Sequence, residues 1–152
     1  MASPAYFYNN WMKAVQGAGD LNGASLKATL HTSSYTPNAS TQSVYADLTN
    51  ELSTANGYSS GGQALAGLAL NTSGGSAILT ASPTEWTATG GSITARYVVL
   101  RYVGTVNGQV DPLILWILVD DTGGGTDKTA TTGNKWTVTW NAAGIYTATK
   151  SA

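Results

Sequence analysis

The amino-acid sequence predicts a mainly β fold, an antiparallel β-sandwich or a jelly-roll-like barrel, with one short N-terminal helix. The first observation is a pair of apolar runs, ITARYVVLRYV and LILWILV, that lie between Ile93 and Val119 around the polar loop GTVNGQVDP. The second run is too short for a membrane helix of about 20 residues and suits a strand buried on both faces. The second observation is a series of about seven or eight short strand-like segments separated by turn signals.

Length and composition indicate one domain, residues 1–152, with no linker or internal repeat. Only 10% of the residues are charged and the net charge is −1, so there is no broad basic field for nucleic acid. The absence of cysteine excludes disulfides and thiolate metal sites. The first residues lack the apolar region of a secretory signal, so synthesis in a cytoplasm is expected, and no membrane partner is expected.

The N-terminal segment carries the predicted helix. Ser3-Pro4 can act as N-cap and first helical residue, and Phe7, Trp11 and Val15 then recur at every fourth position. The pattern predicts a helix over about residues 4–17, ended by a glycine. Residues 1–20 could therefore form an arm whose aromatic face docks on the sheet or on a neighbouring subunit.

The predicted strands follow in order. In the first apolar run, alternation places Ile93, Ala95, Tyr97 and Val99 on one face of the strand and the residues between them on the other. This strand and the next, Leu113–Val119, are predicted to form the centre of a sheet. The remaining strand segments are LKATLH (26–31), QALAGLAL (63–70), SAILTA (76–81), TEWTAT (84–89), KWTVTW (135–140) and GIYTAT (144–149).

Groups capable of catalysis are scarce. His31, the single histidine, has no GxSxG motif to accompany it, and an ordinary surface or hydrogen-bonded role is favoured. Asp120, Asp121 and Asp127 could form a calcium loop, but they lack the ligand spacing of an EF-hand. Nothing in the sequence brings Glu51 and Glu85 together as a glycosidase pair. The glycine-rich loop GGGTDKT lacks the order of a phosphate loop. We expect neither an enzyme nor a cofactor.

Two arginines lie within the most apolar part of the chain. Arg96 and Arg101 are five residues apart and therefore face opposite sides of an extended strand. A buried arginine needs a carboxylate or several carbonyl oxygens, and Asp47, Glu51 or Asp111 could supply one. The favoured interpretation is an internal ion pair or an exposed strand end, with an intersubunit pair as the alternative. The tryptophans divide in the same way, with a core role favoured over a sugar platform for Trp86, Trp136 and Trp140.

The order of several segments resembles a widespread group of small virion proteins of tailed bacteriophages. The resemblance covers nearly the whole chain, from YNNW to the last strand. The segments that carry it are LKATLHTSSYTPN, YADLTNEL, NGYSSGGQAL, EWTATGGSITARYVVLRYVG, PLILWILVDD and WTVTWNAAGIYTAT.

The resemblance implies a structural rather than an enzymatic role. Within the group, the expected role is that of a capsid decoration, or cement, protein: a β-rich domain that forms a homo-oligomer, with a trimer favoured, and binds the major capsid protein on the outer head surface of the virion. The alternative is a tail or fibre component that binds host polysaccharide. The residues expected at an interface are Phe7, Trp11, Tyr35, Arg96 and Arg101.

Overall fold

The computed structural model describes residues 5–9, 26–120 and 125–149. Within these ranges it contains β-strands and one 3₁₀ turn, Tyr45–Asp47, and every strand pairing is antiparallel. The predicted mainly β, antiparallel fold is therefore confirmed. The strands are β1 (Ala5–Phe7), β2 (Leu26–His31), β3 (Gln63–Ala64), β4 (Ala69–Ser73), β5 (Ser76–Thr80), β6 (Thr84–Thr87), β7 (Ile93–Ala95), β8 (Tyr97–Tyr102), β9 (Thr105–Val106), β10 (Gln109–Val110), β11 (Leu113–Leu118), β12 (Lys128–Ala130), β13 (Lys135–Val138) and β14 (Tyr146–Thr149).

The central sheet has five strands in the order β1-β11-β8-β2-β3. Strand β8 lies in the middle, between β11 and β2, as the sequence predicts for the two apolar runs. Its residues Val98, Val99 and Leu100 are fully buried. Since neighbouring side chains of a strand point to opposite faces, both faces of the sheet must be covered.

Two hydrophobic clusters cover these faces. The inner face carries Leu26, Ala28 and Leu30 of β2 together with Val98 and Leu100 of β8, and it contacts the larger cluster. The sheets β14-β5-β4, β13-β6 and β12-β7 contribute buried side chains to that same cluster. Because these sheets are open and share one core with the central sheet, the architecture is sandwich-like and is not a closed barrel.

The smaller cluster lies on the outer face and is rich in tyrosine. Its buried members are Tyr8, Tyr35, Val99 and Leu113. No second sheet covers this face within the described residues. Residues 32–50, which we call the covering segment, contribute Tyr35 and Leu48 to the cluster instead.

A bend at Arg96 divides the first apolar run into two strands. Simple alternation predicts that Ile93 and Ala95 lie on the opposite face from Val98 and Leu100, and this prediction is wrong. All four side chains belong to the inner cluster, because the bend shifts the alternation by one residue. On one side of the bend β7 pairs with β12, and on the other β8 pairs with β11 and β2.

A β-bulge explains the uninterrupted apolar run of β11. The register against β8 shifts between Leu113 and Leu115. As a result Ile114 and Leu115 both contribute to the inner cluster, whereas Leu113 and Trp116 belong to the outer one. Such a bulge places two consecutive residues of one strand opposite a single residue of its partner. Because a hydrophobic cluster covers each face, all of these apolar side chains are at least partly buried.

The predicted N-terminal helix is wrong where the structure describes it. Ala5–Phe7 form β1, which pairs with β11 in the register Tyr6↔Trp116. In AYFY the bulky side chains also alternate with period two, so that Tyr6 and Tyr8 share the outer face while Phe7 packs on the inner cluster. Pairing with the edge of β11 satisfies the backbone of this segment, which the helical pattern overlooks. Residues 10–17, including Trp11, lie outside the described residues.

Two connections also differ from the sequence prediction. The segment QALAGLAL forms only the two ends β3 and β4, since Gly67 adopts a φ of +62° between them. The loop GTVNGQVDP contains the short hairpin β9–β10, with Asn107 and Gly108 both at positive φ. That pair of dihedrals is the usual requirement of a two-residue hairpin turn.

Replacing Trp136 with alanine tests the inner cluster. The Trp136 side chain is fully buried, its ring meets that of Trp86 edge to face at a centroid distance of 5.7 Å, and its Nε1 donates to the Lys128 carbonyl at 2.9 Å. We expect Trp136→Ala to lower the free energy of unfolding by about 3–5 kcal/mol, as for other large aromatic truncations. Urea denaturation measures this change. The exposed Thr87→Ala on the paired strand is the control, and equal losses in the two variants would contradict the assignment.

Candidate interaction surface

A connected set of aromatic rings lies on the outer face of the central sheet, and we call it the aromatic layer: Tyr6, Tyr8, Tyr35, Tyr97 and Trp116. Tyr6 stacks on Trp116 at a centroid distance of 5.5 Å, and Tyr8 contacts the same indole at 4.8 Å. Tyr35 meets Tyr97 edge to face at 5.6 Å. The β1–β11 pairing sets the first of these contacts, because Tyr6 lies directly opposite Trp116.

The aromatic layer has two buried residues at its centre and an exposed residue at one end. Tyr8 and Tyr35 are buried, and their hydroxyl oxygens are 2.6 Å apart. Tyr35 donates its only hydroxyl hydrogen to Gln42 Oε1 at 2.7 Å, so Tyr8 must donate to Tyr35. At one end Tyr6 is 47% exposed, one of the two large hydrophobic residues with exposed side chains among the described residues. Solvent therefore reaches one end of an otherwise packed set of rings.

An ion pair between Arg101 and Asp111 lies beside this layer. Arg101 is buried on the outer face, and its Nη1 donates to Asp111 Oδ2 at 2.6 Å while its Nη2 donates to the Gly61 carbonyl at 3.0 Å. The guanidinium carbon lies 4.0 Å from the ring centroid of Tyr45. Asp111 also accepts from the Gly104 amide at 2.8 Å, at the base of the β9–β10 hairpin. The internal ion pair favoured by the sequence is thus present for Arg101.

The carboxylate of Glu51 accepts three hydrogen bonds from residues on either side of it in the sequence. Its carboxylate accepts from the Tyr45 hydroxyl at 2.5 Å, the Tyr58 hydroxyl at 2.6 Å and the Gly61 amide at 2.7 Å. Burial, followed by the bond to Glu51, raises the pKa of Tyr45 to about 12 and raises the pKa of Tyr58 well above its ordinary value. The carboxylate thereby joins the 3₁₀ turn at Tyr45 to the segment that contains Tyr58 and Gly61.

Arg96 has a different environment. Its Nε donates to Asp127 Oδ1 at 2.7 Å, and the two side chains are 29% and 35% exposed. Solvent screens a pair at this exposure, so its contribution to stability is small. Of the two arginines predicted at an interface, Arg96 is therefore the one whose side chain is accessible to a partner.

His31 is buried and hydrogen-bonded at both ring nitrogens. Its Nδ1 lies 2.9 Å from the Thr49 carbonyl oxygen and its Nε2 lies 2.9 Å from Thr29 Oγ1. Burial lowers the pKa of the ring, and the hydrogen bond to Thr49 and the charge of Glu51 offset part of that effect. A surface position for this side chain is excluded, whereas the hydrogen-bonded role expected from the sequence is present.

The other acidic residues considered as catalytic or metal-binding candidates do not share a site with Glu51 among the described residues. Glu85 Oε2 accepts from Lys135 at 2.5 Å, away from the contacts of Glu51. Asp120 accepts from the Thr126 amide at 2.8 Å, and Asp121 lies outside the described residues. Across residues 5–9, 26–120 and 125–149 no group of three or more potential metal-ligating side chains is found. Nor does this part of the chain contain a helix with the length and hydropathy needed to cross a membrane.

Of the five predicted interface residues, the four that the structure describes do not form one surface. Phe7 is partly buried on the inner side, where it meets Tyr146 edge to face at 6.4 Å, and Arg96 is partly exposed. Tyr35 and Arg101 are buried in contacts within the chain, and Trp11 lies outside the described residues. Their interface role stays a prediction. As expected, the tryptophans of the inner cluster are core residues: Trp86, Trp136 and Trp140.

Sequence reasoning missed the pairing of exposed Tyr6 with partly buried Trp116. The signal that could have found it is the alternation in AYFY, which places Tyr6 on the face opposite Phe7. The contact itself depends on the β1–β11 register, and that register brings together positions that are far apart in the sequence.

Comparisons with known proteins give no match: no family model, no curated protein and no solved structure is significantly similar to this chain.

Comparing the two arginine ion pairs tests how burial changes the contribution of an ion pair to stability. Asp111→Asn keeps the side-chain shape and suits the positive φ of 51°, but it removes the counter-charge of a buried guanidinium. We expect a loss of about 3 kcal/mol in the free energy of unfolding. The control Asp127→Asn removes the exposed partner of Arg96 and should cost less than about 1 kcal/mol. Urea denaturation of both variants measures these changes in the free energy of unfolding. A larger decrease for Asp127→Asn than for Asp111→Asn would contradict this account.

Alkaline pH should destabilise the fold through its tyrosines. Burial raises the pKa of both Tyr35 and Tyr45 from 10.0 to about 12, so these groups stay protonated in the folded state after the unfolded chain has begun to lose its protons. Their contribution to stability is complete below pH 10 and is lost as the pH rises towards 12. The urea midpoint should fall over this range, and less steeply in Tyr35→Phe. A constant midpoint between these pH values would be the contrary result.

Proposed function

We propose that this chain is a structural protein of a bacteriophage virion, a decoration protein that binds the outer head surface and stabilises the shell. The observation that carries the proposal is the exposed end of the aromatic layer, where Tyr6 stacks on Trp116 at the edge of the central sheet. The resemblance in segment order supplies the viral context. Tyrosine and tryptophan are enriched in protein interfaces and often dominate their binding energy.

The geometry suits a protein that works by burying surface. Trp116, which itself packs against Tyr8, stacks on the ring of Tyr6, so less conformational entropy is lost when a partner covers this ring. The low charge of the chain, 10% of its residues, also fits a surface that is covered by neighbours in an assembly. Many copies that each contact two or more capsid subunits stabilise a shell because binding to the assembled state shifts the equilibrium towards it.

The exposed ring of Tyr6 also fits the alternative, a tail or fibre component that binds host polysaccharide, because sugars stack on aromatic side chains. The two functions differ in their partner. A decoration protein binds a capsid lattice at regular positions, whereas a fibre component binds isolated cell-wall polysaccharide weakly and saturably.

Binding to expanded capsids that lack the protein tests the proposal. The purified chain is mixed with capsids of the phage that encodes it, the particles are separated by sedimentation, and their structure is determined by cryo-electron microscopy. We expect density at regular positions of the head lattice. Unoccupied lattice positions, with the protein on the tail or on host polysaccharide, would overturn the decoration role.

The variants Tyr6→Ser and Val110→Ser locate the contact. Both residues are exposed, at 47% and 63%, but Val110 lies on the β9–β10 hairpin and is not a member of the aromatic layer. We expect Tyr6→Ser to weaken capsid binding at least about tenfold, as for truncation of an aromatic hot spot. Val110→Ser should bind as the unmodified protein does. The opposite order would place the contact on the hairpin.

A further inference from the structure

His31 lies where the covering segment meets the central sheet. The side chain is fully buried on the outer face, at the end of β2. From the covering segment, the Thr49 carbonyl lies 2.9 Å from Nδ1 and the ring of Tyr35 lies at a centroid distance of 4.7 Å. The imidazole thus contacts this segment through both a hydrogen bond and a ring contact.

The hydrogen bonds fix the proton on the neutral ring. A carbonyl oxygen only accepts, so Nδ1 must carry the hydrogen that it donates to Thr49. The other nitrogen, Nε2, then accepts from the hydroxyl of Thr29 at 2.9 Å. The same hydroxyl lies 3.3 Å from the carbonyl oxygen of Val99, which is a second acceptor for its hydrogen.

These partners can also accommodate a second proton. When Nε2 gains a hydrogen it can donate to Thr29 Oγ1, while the Thr29 hydroxyl turns to donate to Val99. Every hydrogen bond is kept, but the ring now carries a charge in a site without solvent. Burying a charge is unfavourable unless a counter-charge faces it closely.

Neighbouring groups offset only part of the free-energy cost of burying that charge. From β8 the cross-strand neighbour of His31 is Tyr97, and Arg96, at the bend before it, carries a like charge that already pairs with Asp127. From the covering segment, the neutral ring of Tyr35 faces the imidazole. The acidic group is Glu51, paired with His31 in an isolated β-bridge, and its carboxylate already accepts three hydrogen bonds.

We propose that His31 is a proton-sensitive latch: its neutral ring holds the covering segment, residues 32–50, on the outer face of the central sheet, and proton uptake favours release of this segment. Release exposes the imidazolium to water, which removes the unfavourable burial of its charge. It also uncovers Tyr8 and the rest of the aromatic layer that Tyr35 closes. The latch is a property of the fold and does not depend on the proposed virion role.

The direction of the pH effect follows from the sign of the shift. Burial lowers the pKa of His31 in the closed state below its ordinary value of 6.5, so the released state binds the proton more readily. The closed state is therefore fully favoured above pH 6.5 and becomes less favoured as the pH falls towards the lowered pKa. Within that window the opening constant rises about tenfold for each unit of pH.

Two measurements on the full chain test the latch. Because His31 is the single histidine, its ring C2 proton gives one resolved NMR titration, and its midpoint should lie below 6.5. Hydrogen exchange, corrected for intrinsic rates, is followed over about pH 5 to 8, the range in which histidine titrates. We expect protection to fall at the Tyr45 and Leu113 amides, whose hydrogen bonds to the Asp111 and Ser43 carbonyls join the covering segment to the rest of the chain, while amides of β6 and β13 keep theirs.

Two variants separate the latch from general acid effects. His31→Gln cannot titrate and should abolish the pH dependence of exchange in the covering segment. Thr29→Val removes the hydroxyl that accepts from the protonated ring and should move the His31 midpoint further down. A midpoint at or above 6.5, unchanged exchange through the titration, or equal loss of protection in all strands would each overturn the latch. An unmoved midpoint in Thr29→Val would do the same, and this variant keeps the test available if His31→Gln does not fold.

Discussion

The structure depends on the burial of β8 and β11 on both faces. A strand pair without a solvent-facing side requires a cover on each side, and the two covers differ in kind. Small antiparallel sheets cover the inner face and share one apolar cluster with it. A loop segment covers the outer face, and a loop has no regular ladder with which to satisfy its backbone and hold its position.

The polar contacts of the outer face reflect the fact that a loop, and not a second sheet, covers it. Isolated backbone hydrogen bonds attach these loops, and side chains add to them: Arg101 bonds to Asp111 and Gly61, and Glu51 accepts from two hydroxyls and an amide. These charged and aromatic groups thus have hydrogen-bond partners within the chain. His31 belongs to the same set, since it joins β2 to Thr49.

The sequence predicted the centre of the fold because apolar runs are a strong local signal. It did not predict the alternation around Arg96, because the bend depends on β7 and β8 pairing with different partners. The N-terminal helix failed for a related reason: Phe7 fits a period of four as well as a period of two, and only the edge of β11 decides between them. The partner of Arg101 was among three named carboxylates, but the hydroxyls that surround Glu51 come from tertiary packing alone.

The hairpin β9–β10 has a base and a tip with different constraints. Asp111 joins the base to Gly104 and Arg101, whereas no atom lies within 4 Å of the position where a Cβ of Gly108 would stand. Exposed loop tips on a well-anchored support tolerate added chain best. This tip is therefore the natural place to insert a peptide or a small domain, since the added chain would leave the bonds at the base of the hairpin in place.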